Sequence, residues 1–331
     1  MAYNNGNTLN ERGYIILKKQ KKISFIVLIT LAITFINICI NKLIFCFSSK
    51  SEKLYLPNSN YYDWRFGKIY YTKNGQGKPL ILIHDLDSSQ SSYEFKFLIR
   101  KLEKHYTVYT IDLIGFGKSD KPKLTYTNFL FVQLLSDFIT NIVKQKSNLV
   151  CVGKSTTIGV TVCNYNPGLI NKLLFINTPS LETMNKIPRQ SHKINKLLLE
   201  STLTGTTVYN YKYSKYALNK SLKSKVHDKS SITANYILAR NEAAHLSGEA
   251  SKFTEGSIQS HFTNLNITKA LRSINNSMYF ISGEYFEDGN RILNEYCELN
   301  PSIEADIIPD TKDLPWIENP NQLAEFLLIY I

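Results

Sequence analysis

The stretch Gly153-Lys-Ser155-Thr-Thr157 follows a run of apolar, β-branched residues and leads straight into a helical pattern. A serine displayed where a strand turns into a helix is placed for nucleophilic attack. It then needs a neutral imidazole to take its proton, an acid to orient that imidazole, and backbone amides to hold the oxyanion. The chain has six histidines: His84, His105, His192, His227, His245 and His261. His84 ends an apolar run, where packing and hydrogen bonding to the next loop are the expected use, and His105 closes a surface helix. The other four lie in a polar segment, from which His245 or His261 could reach Ser155. Lys154 offers a Ser–Lys pair, but adjacent residues on a tight turn point apart. Cys151, Cys163 and Cys297 are too widely spaced for a metal site and read as small buried hydrophobes. Gly115-x-Gly117 lacks the third glycine and the ribose-binding acid of a dinucleotide fold. No metal and no cofactor are expected.

These residues must be carried by a framework, and the hydrophobic pattern supplies one. Tyr61–Phe66, Lys68–Lys73, Pro79–His84, Thr107–Asp112, Asn148–Gly153, Lys172–Asn177, Met278–Gly283 and Ile303–Ile308 read as strands. Between them, Phe95, Leu98, Ile99 and Leu102 recur at helical spacing, as do Phe131, Leu134, Leu135, Phe138, Ile139 and Ile142. Thr156–Asn166, Arg291–Leu299 and Pro320–Ile331 are further helices. Alternation of buried strands with helices predicts a mostly parallel, doubly wound sheet covered on both faces. Residues 181–275 break the rhythm and read as a Lys/Ser/Thr-rich helical insertion.

Gly153–Thr157 resembles the nucleophile elbow, G-x-S-x-G, of the α/β-hydrolase superfamily. Pro79–His84 resembles the strand before that family's oxyanion loop. Asp112-Leu-Ile-Gly115-Phe-Gly117-Lys-Ser119-Asp120 resembles the turn after the next strand. Gly283-Glu284 fits the strand end before the acid, and Pro315-Trp-Ile-Glu318-Asn-Pro320 the stretch after the histidine. The resemblance, closest to the lidded epoxide-hydrolase and esterase branch, implies a core over 61–180 and 276–331 with a lid over 181–275. It further implies Ser155 as nucleophile and the backbone amides of Leu86 and Thr156 as oxyanion hole. Four positions depart from the pattern: Asp313 replaces the histidine, Phe286 the acid, Asp85 the oxyanion-loop glycine and Thr157 the elbow's second glycine.

A carboxylate with a pKa near ~4 is a poor base for a serine hydroxyl at neutral pH. Losing a triad member leaves only ~10³–10⁴-fold acceleration over water. The favoured reading is therefore a weakly active or non-catalytic protein of hydrolase fold. Its lidded pocket, with His84, Asp85 and Lys154 as candidate lining, would take a small-molecule or acyl ligand. The alternatives are an ester or amide hydrolase using Ser155 with an unconventional base from the lid, and a purely structural surface protein.

The chain of 331 residues is 43% hydrophobic and 20% charged, which excludes a disordered or disulfide-stapled protein. Its net charge of +12 is lysine-dominated, with 32 lysines to 7 arginines, and lies in two blocks. Residues 1–55 carry 8 basic and 2 acidic residues, and residues 181–275 carry 14 and 6. A nucleic-acid surface would favour arginine, so no nucleic-acid partner is expected. Ile23 to Ile40 is 18 residues without charge, and the apolar stretch continues to Phe47. About 20 helical residues span a bilayer core, so residues 23–47 are expected as a transmembrane anchor. Residues 1–22 form its basic tail and 48–60 a tether. Lys18, Lys19, Lys21 and Lys22 outweigh the lysines beyond the span. This predicts a single-pass cell-membrane protein with a cytoplasmic N-terminus and an extracytoplasmic body.

Overall fold

Runs such as Leu80-Ile-Leu-Ile83 and Leu173-Leu-Phe-Ile176 leave no polar face for water, so their strands must be covered on both sides. The computed structural model describes residues 5–331, with side chains from Tyr14 onward. Its strands are β1 (Ser59–Trp64), β2 (Gly67–Asn74), β3 (Lys78–Ile83), β4 (Tyr106–Ile111), β5 (Ser147–Val152), β6 (Ile170–Ile176), β7 (Ser277–Gly283) and β8 (Ile303–Ile308). They form one eight-stranded sheet in the order β1-β2-β4-β3-β5-β6-β7-β8. β2 runs antiparallel to both its neighbours, β1 and β4, and all later neighbours are parallel.

The helices of the body are α2 (Lys96–Leu102), α3 (Asn128–Phe138) and α4 (Thr156–Tyr165), then α12 (Gly289–Leu299), α13 (Pro315–Glu318) and α14 (Pro320–Tyr330). Strand alternation sorts the apolar side chains into two cores. Ile81, Ile83, Leu149, Cys151, Leu173 and Phe175 meet α3, α4 and α12 on one face. Leu80, Leu82, Val150, Val152, Leu174 and Ile176 meet α2, α13 and α14 on the other. Each such side chain contributes roughly 1.5–3 kcal/mol over exposure, so the two-sided core outweighs any single cap at about 1 kcal/mol. Helix starts follow the capping rule: Thr127 and Asn319 accept from the Leu130 and Gln322 amides at 3.3 Å.

Between β6 and β7 lies a helical insertion, the segment expected as a lid: α5 (Leu181–Met184), α6 (Gln190–Glu200), α7 (Thr204–Lys212), α8 (Lys215–Ser224), α9 (Ala234–His245), α10 (Ser251–Gln259) and α11 (Thr268–Ser273). The N-terminal helix α1 runs Asn5–Ser48, and its stretch Tyr14–Ser48 is long and apolar enough to cross a membrane. The expected basic tail is thus helical from Asn5, while residues 1–4 of it lie outside the described residues. One compact unit ends at Ile44 and the other runs Phe45–Ile331.

The segment expected as a tether is seated on α9. The Ser51 hydroxyl and the Lys53 amide donate to the Glu242 carboxylate at 2.8 and 2.6 Å, and Leu54 packs on Ala239 and Ala243. Most strand limits match the sequence reading to within two residues. The difference that matters most is small: β5 stops at Val152, one residue short of the expected Gly153.

Candidate active site

Because β5 ends at Val152, the turn into α4 is made by Gly153, with φ +58°. Left-handed backbone costs a side-chain-bearing residue about 1–2 kcal/mol, and glycine avoids that cost. Ser155 lies two residues further on, with ordinary helical backbone (φ −65°). Its hydroxyl is fully buried, donates to the Val152 carbonyl at 2.8 Å and accepts from the Val152 amide at 3.0 Å. The expected exposed hydroxyl is therefore absent. The serine instead ties the start of α4 back to the end of β5.

The polar group at the turn comes from the loop after β3. Asp85 Oδ1 accepts the Leu86 amide at 2.7 Å and the Lys154 amide at 2.8 Å. An ideal Cβ on Gly153 would stand 2.5 Å from Asp85 Cγ, so the carboxylate fills the space a side chain there would need. The expected amide pair was Leu86 with Thr156. The Thr156 amide is committed to the Gly153 and Lys154 carbonyls within the helix, and Lys154 takes its place.

His84 holds this loop from behind. The Leu113 amide donates to its Nε2 at 3.2 Å, so Nδ1 carries the proton and donates to the Asp85 carbonyl at 2.8 Å. Burial pushes the imidazole below its ordinary pKa, against the nearby carboxylate of Asp112. Asp112 in turn accepts the Ser92 and Lys118 amides at 2.6 and 2.7 Å, linking the β3 and β4 loops.

The remaining expected positions do not converge on Ser155. Phe286 closes a turn on Gly283 and packs against the core. Asp313 is half-buried and its amide donates to the Lys225 carbonyl. Burial raises its carboxyl pKa, with Lys225 and Lys312 opposing. His245 is buried on α9, Nδ1 donating to the Asn241 carbonyl at 2.7 Å, its ring between Phe45 and Tyr209. His261 faces His192, ring centroids 4.7 Å apart. Among the described residues no imidazole hydrogen-bonds to the Ser155 hydroxyl or the Asp85 carboxylate. All five cysteines are free, and burial pushes the Cys163 thiol up to about 11.

Two buried carboxylates join the helical insertion to this loop. Glu94 accepts from Arg240 at 3.0 Å, Tyr236 at 2.5 Å and Trp316 at 3.0 Å. Glu255 accepts from Ser88 at 2.9 Å, Tyr213 at 2.5 Å and Gln259 at 2.8 Å, and pairs with Lys212. Asp87 lies in the same loop, its carboxylate accepting from the Ser89 amide and hydroxyl. Burial alone would raise its pKa, but Arg240, Lys225 and Lys212 outweigh that and hold it well below the usual carboxylate range. Sequence reasoning missed these residues because isolated acids and tyrosines carry no spacing signal.

Residues 78–204 match the family described as "alpha/beta hydrolase fold". The chain is similar to 2-hydroxy-6-oxo-6-(2'-aminophenyl)hexa-2,4-dienoic acid hydrolase of Metapseudomonas resinovorans, 32% identical over 141 residues, 40% of this chain and 46% of that protein. It is also similar to haloalkane dehalogenase of Agrobacterium fabrum, 24% identical over 36% of this chain and 38% of that one. The matched stretch thus spans less than half the length of these curated relatives. Among solved structures, a serine hydrolase involved in carbazole degradation superposes with TM-score 0.69 at 20% identity, covering 82% of this chain and 97% of that one. A bacterial membrane phospholipase A superposes with TM-score 0.64 at 17% identity, covering 94% and 97%.

This chain has the α/β-hydrolase fold. In an α/β-hydrolase the oxyanion amides come from the residue after the strand–helix turn and from the β3 loop. Lys154 follows Gly153, and Leu86 lies in the β3 loop. One signal for this register was available: Cys151-x-Gly153-x-Ser155 is also small-x-small-x-small, two residues ahead of the spacing that points to Ser155.

Proposed function

We propose that this is a membrane-anchored protein of α/β-hydrolase fold that does not hydrolyse acyl substrates and acts by binding at the membrane surface. The observation that carries the reading is the Asp85 carboxylate on the Leu86 and Lys154 amides. A pair of N–H groups aimed at one point stabilises a developing oxyanion only if that point is free. Here a resident anion holds it, and a substrate carbonyl would have to displace two charge-assisted hydrogen bonds. Gly153 at the turn supplies no nucleophile. Ser155 is turned into the backbone, and Asp313 stands where the resembled pattern has its histidine.

The relatives' printed activities, hydrolysis of a dienoic acid and dehalogenation, therefore do not carry over. A small-molecule or acyl ligand of the kind expected under the lid would have to part the buried Glu94 and Glu255 contacts before entering. Retention of α1 as an anchor is supported by Phe45, which is buried in the body against His245; a removed leader would leave that core position empty. The lysine excess before the span favours a cytoplasmic N-terminus, with the body outside.

The test is fluorophosphonate labelling and p-nitrophenyl acetate turnover of the full chain in detergent. Neither label nor turnover above background is expected. Labelling that disappears on Ser155→Ala would overturn the reading.

A further inference from the structure

We infer that the outward apolar face of α6 and α7 docks into the interface of the bilayer that holds α1, with the lid's lysines on anionic lipid headgroups. This rests on reading α1 as a retained anchor. α6 has no buried residue, and Ile194, Leu197 and Leu198, at i, i+3 and i+4, are 51–70% exposed. A helix covering a soluble core turns such a stripe inward. This one turns it out. On α7, Val208 and Tyr211 are 53% and 71% exposed. The two helices join tightly, since a Cβ on Gly205 would meet the Leu199 carbonyl.

Two features select a bilayer over a second copy of the chain. The first is where the membrane helix enters the body. Its last turn belongs to the globular unit, with Phe45 packed on His245 of α9, and Ser51 and Lys53 bonded to Glu242 of the same helix. α7 lies next to α9, with the Tyr209 hydroxyl donating to the Ala244 carbonyl at 2.6 Å. Packed helix axes are about 8–10 Å apart, so chain leaving the bilayer at Phe45 delivers the lid to its surface. The second feature is charge. From Lys186 to Lys225 there are nine basic residues and one acid, Glu200. That excess is attracted to anionic headgroups and repelled by an identical face. Apolar stripe, basic surround and proximity together describe an interfacial helix pair.

The experiment uses the full chain with Cys39, Cys46 and Cys297 replaced by serine, in vesicles of phosphatidylcholine and phosphatidylglycerol. Nitroxide labels are placed singly at Leu197→Cys, at Ile33→Cys within α1, and at the exposed Tyr165→Cys at the C-terminal end of α4. Collision with a water-soluble nickel chelate is read by electron paramagnetic resonance. The rate at 33 and 197 is expected to be several-fold below that at 165. A label at 197 as accessible as that at 165, with 33 shielded, would overturn the lid inference and leave the anchor reading standing. An accessible label at 33 would overturn the anchor reading and this inference with it. Dipolar broadening between labels at 197 would assign the face to self-association and overturn docking to lipid.

Discussion

Replacing Asp85 by alanine should leave an empty anion cradle that acetate can refill. Asp85 Oδ1 takes two amide hydrogen bonds, at 2.7 and 2.8 Å. A hydrogen bond to a charged acceptor contributes about 1.5–3 kcal/mol. Asp85 is partly open to solvent, so water can replace some of this in the variant. The net expected loss is about 2–3 kcal/mol, or roughly 3–5 °C in Tm for a body of this size. Acetate at ~100 times its Kd would restore about 2.7 kcal/mol by mass action. Thermal unfolding of the full chain in detergent, in acetate against chloride at equal ionic strength, makes the comparison. The wild type should show no specific acetate effect, because its own carboxylate already holds the site. An alanine variant as stable as wild type and indifferent to acetate would refute the cradle.

Gly153→Ala should destabilise by about 1–2 kcal/mol from left-handed backbone alone, and by more from the contact with Asp85. Combining it with Asp85→Gly should remove only the steric part, seen as non-additivity in denaturant midpoints. Glu94→Gln leaves Arg240 buried without its counter-charge and should cost about 3–5 kcal/mol in the same assay. His245 sets an acid limb. Its imidazole is pushed down to about 4, chiefly by burial, with the Asn241 hydrogen bond opposing. Unfolded histidine titrates near ~6.5, so below that pH the unfolded chain takes the proton first. The stabilising contribution is complete above pH ~6.5 and is lost as pH falls toward 4, by up to roughly 3 kcal/mol at about 1.4 kcal/mol per pH unit. His245→Phe should flatten that limb when midpoints are compared at both ends of the window.

Much of the framework was legible because burial writes itself into short-range pattern. The unbroken apolar runs of β3, β5, β6 and β7 could only be two-sided strands. Thr127 and Asn319 stood where caps are needed, and the long uncharged stretch before Phe47 could only be a continuous apolar helix. The site was legible in its parts but not in its register. Asp85, Leu86, Lys154, Gly153 and Ser155 all stand out in the sequence, but its spacing points to Ser155 as the turn residue and Thr156 as the one after it. The left-handed backbone falls at Gly153, and the amide bonded to Asp85 is that of Lys154.

Composition and periodicity thus determined the sheet, its two cores, the place of the helical insertion and the apolar helix, since each depends on neighbours within a few positions along the chain. Which residue makes the left-handed turn after β5 was decided only in three dimensions. Val152 ends the strand, Gly153 alone there lacks a Cβ, and Asp85, 69 positions earlier than the Lys154 amide it accepts, brings a carboxylate into the space that a side chain would otherwise fill. The seating of the insertion on the body was decided the same way. Glu94 and Glu255 acquire meaning only where Arg240, Tyr236, Trp316, Ser88 and Tyr213 meet them out of water, because an isolated buried charge is too costly to stand and its partners are drawn from distant parts of the sequence.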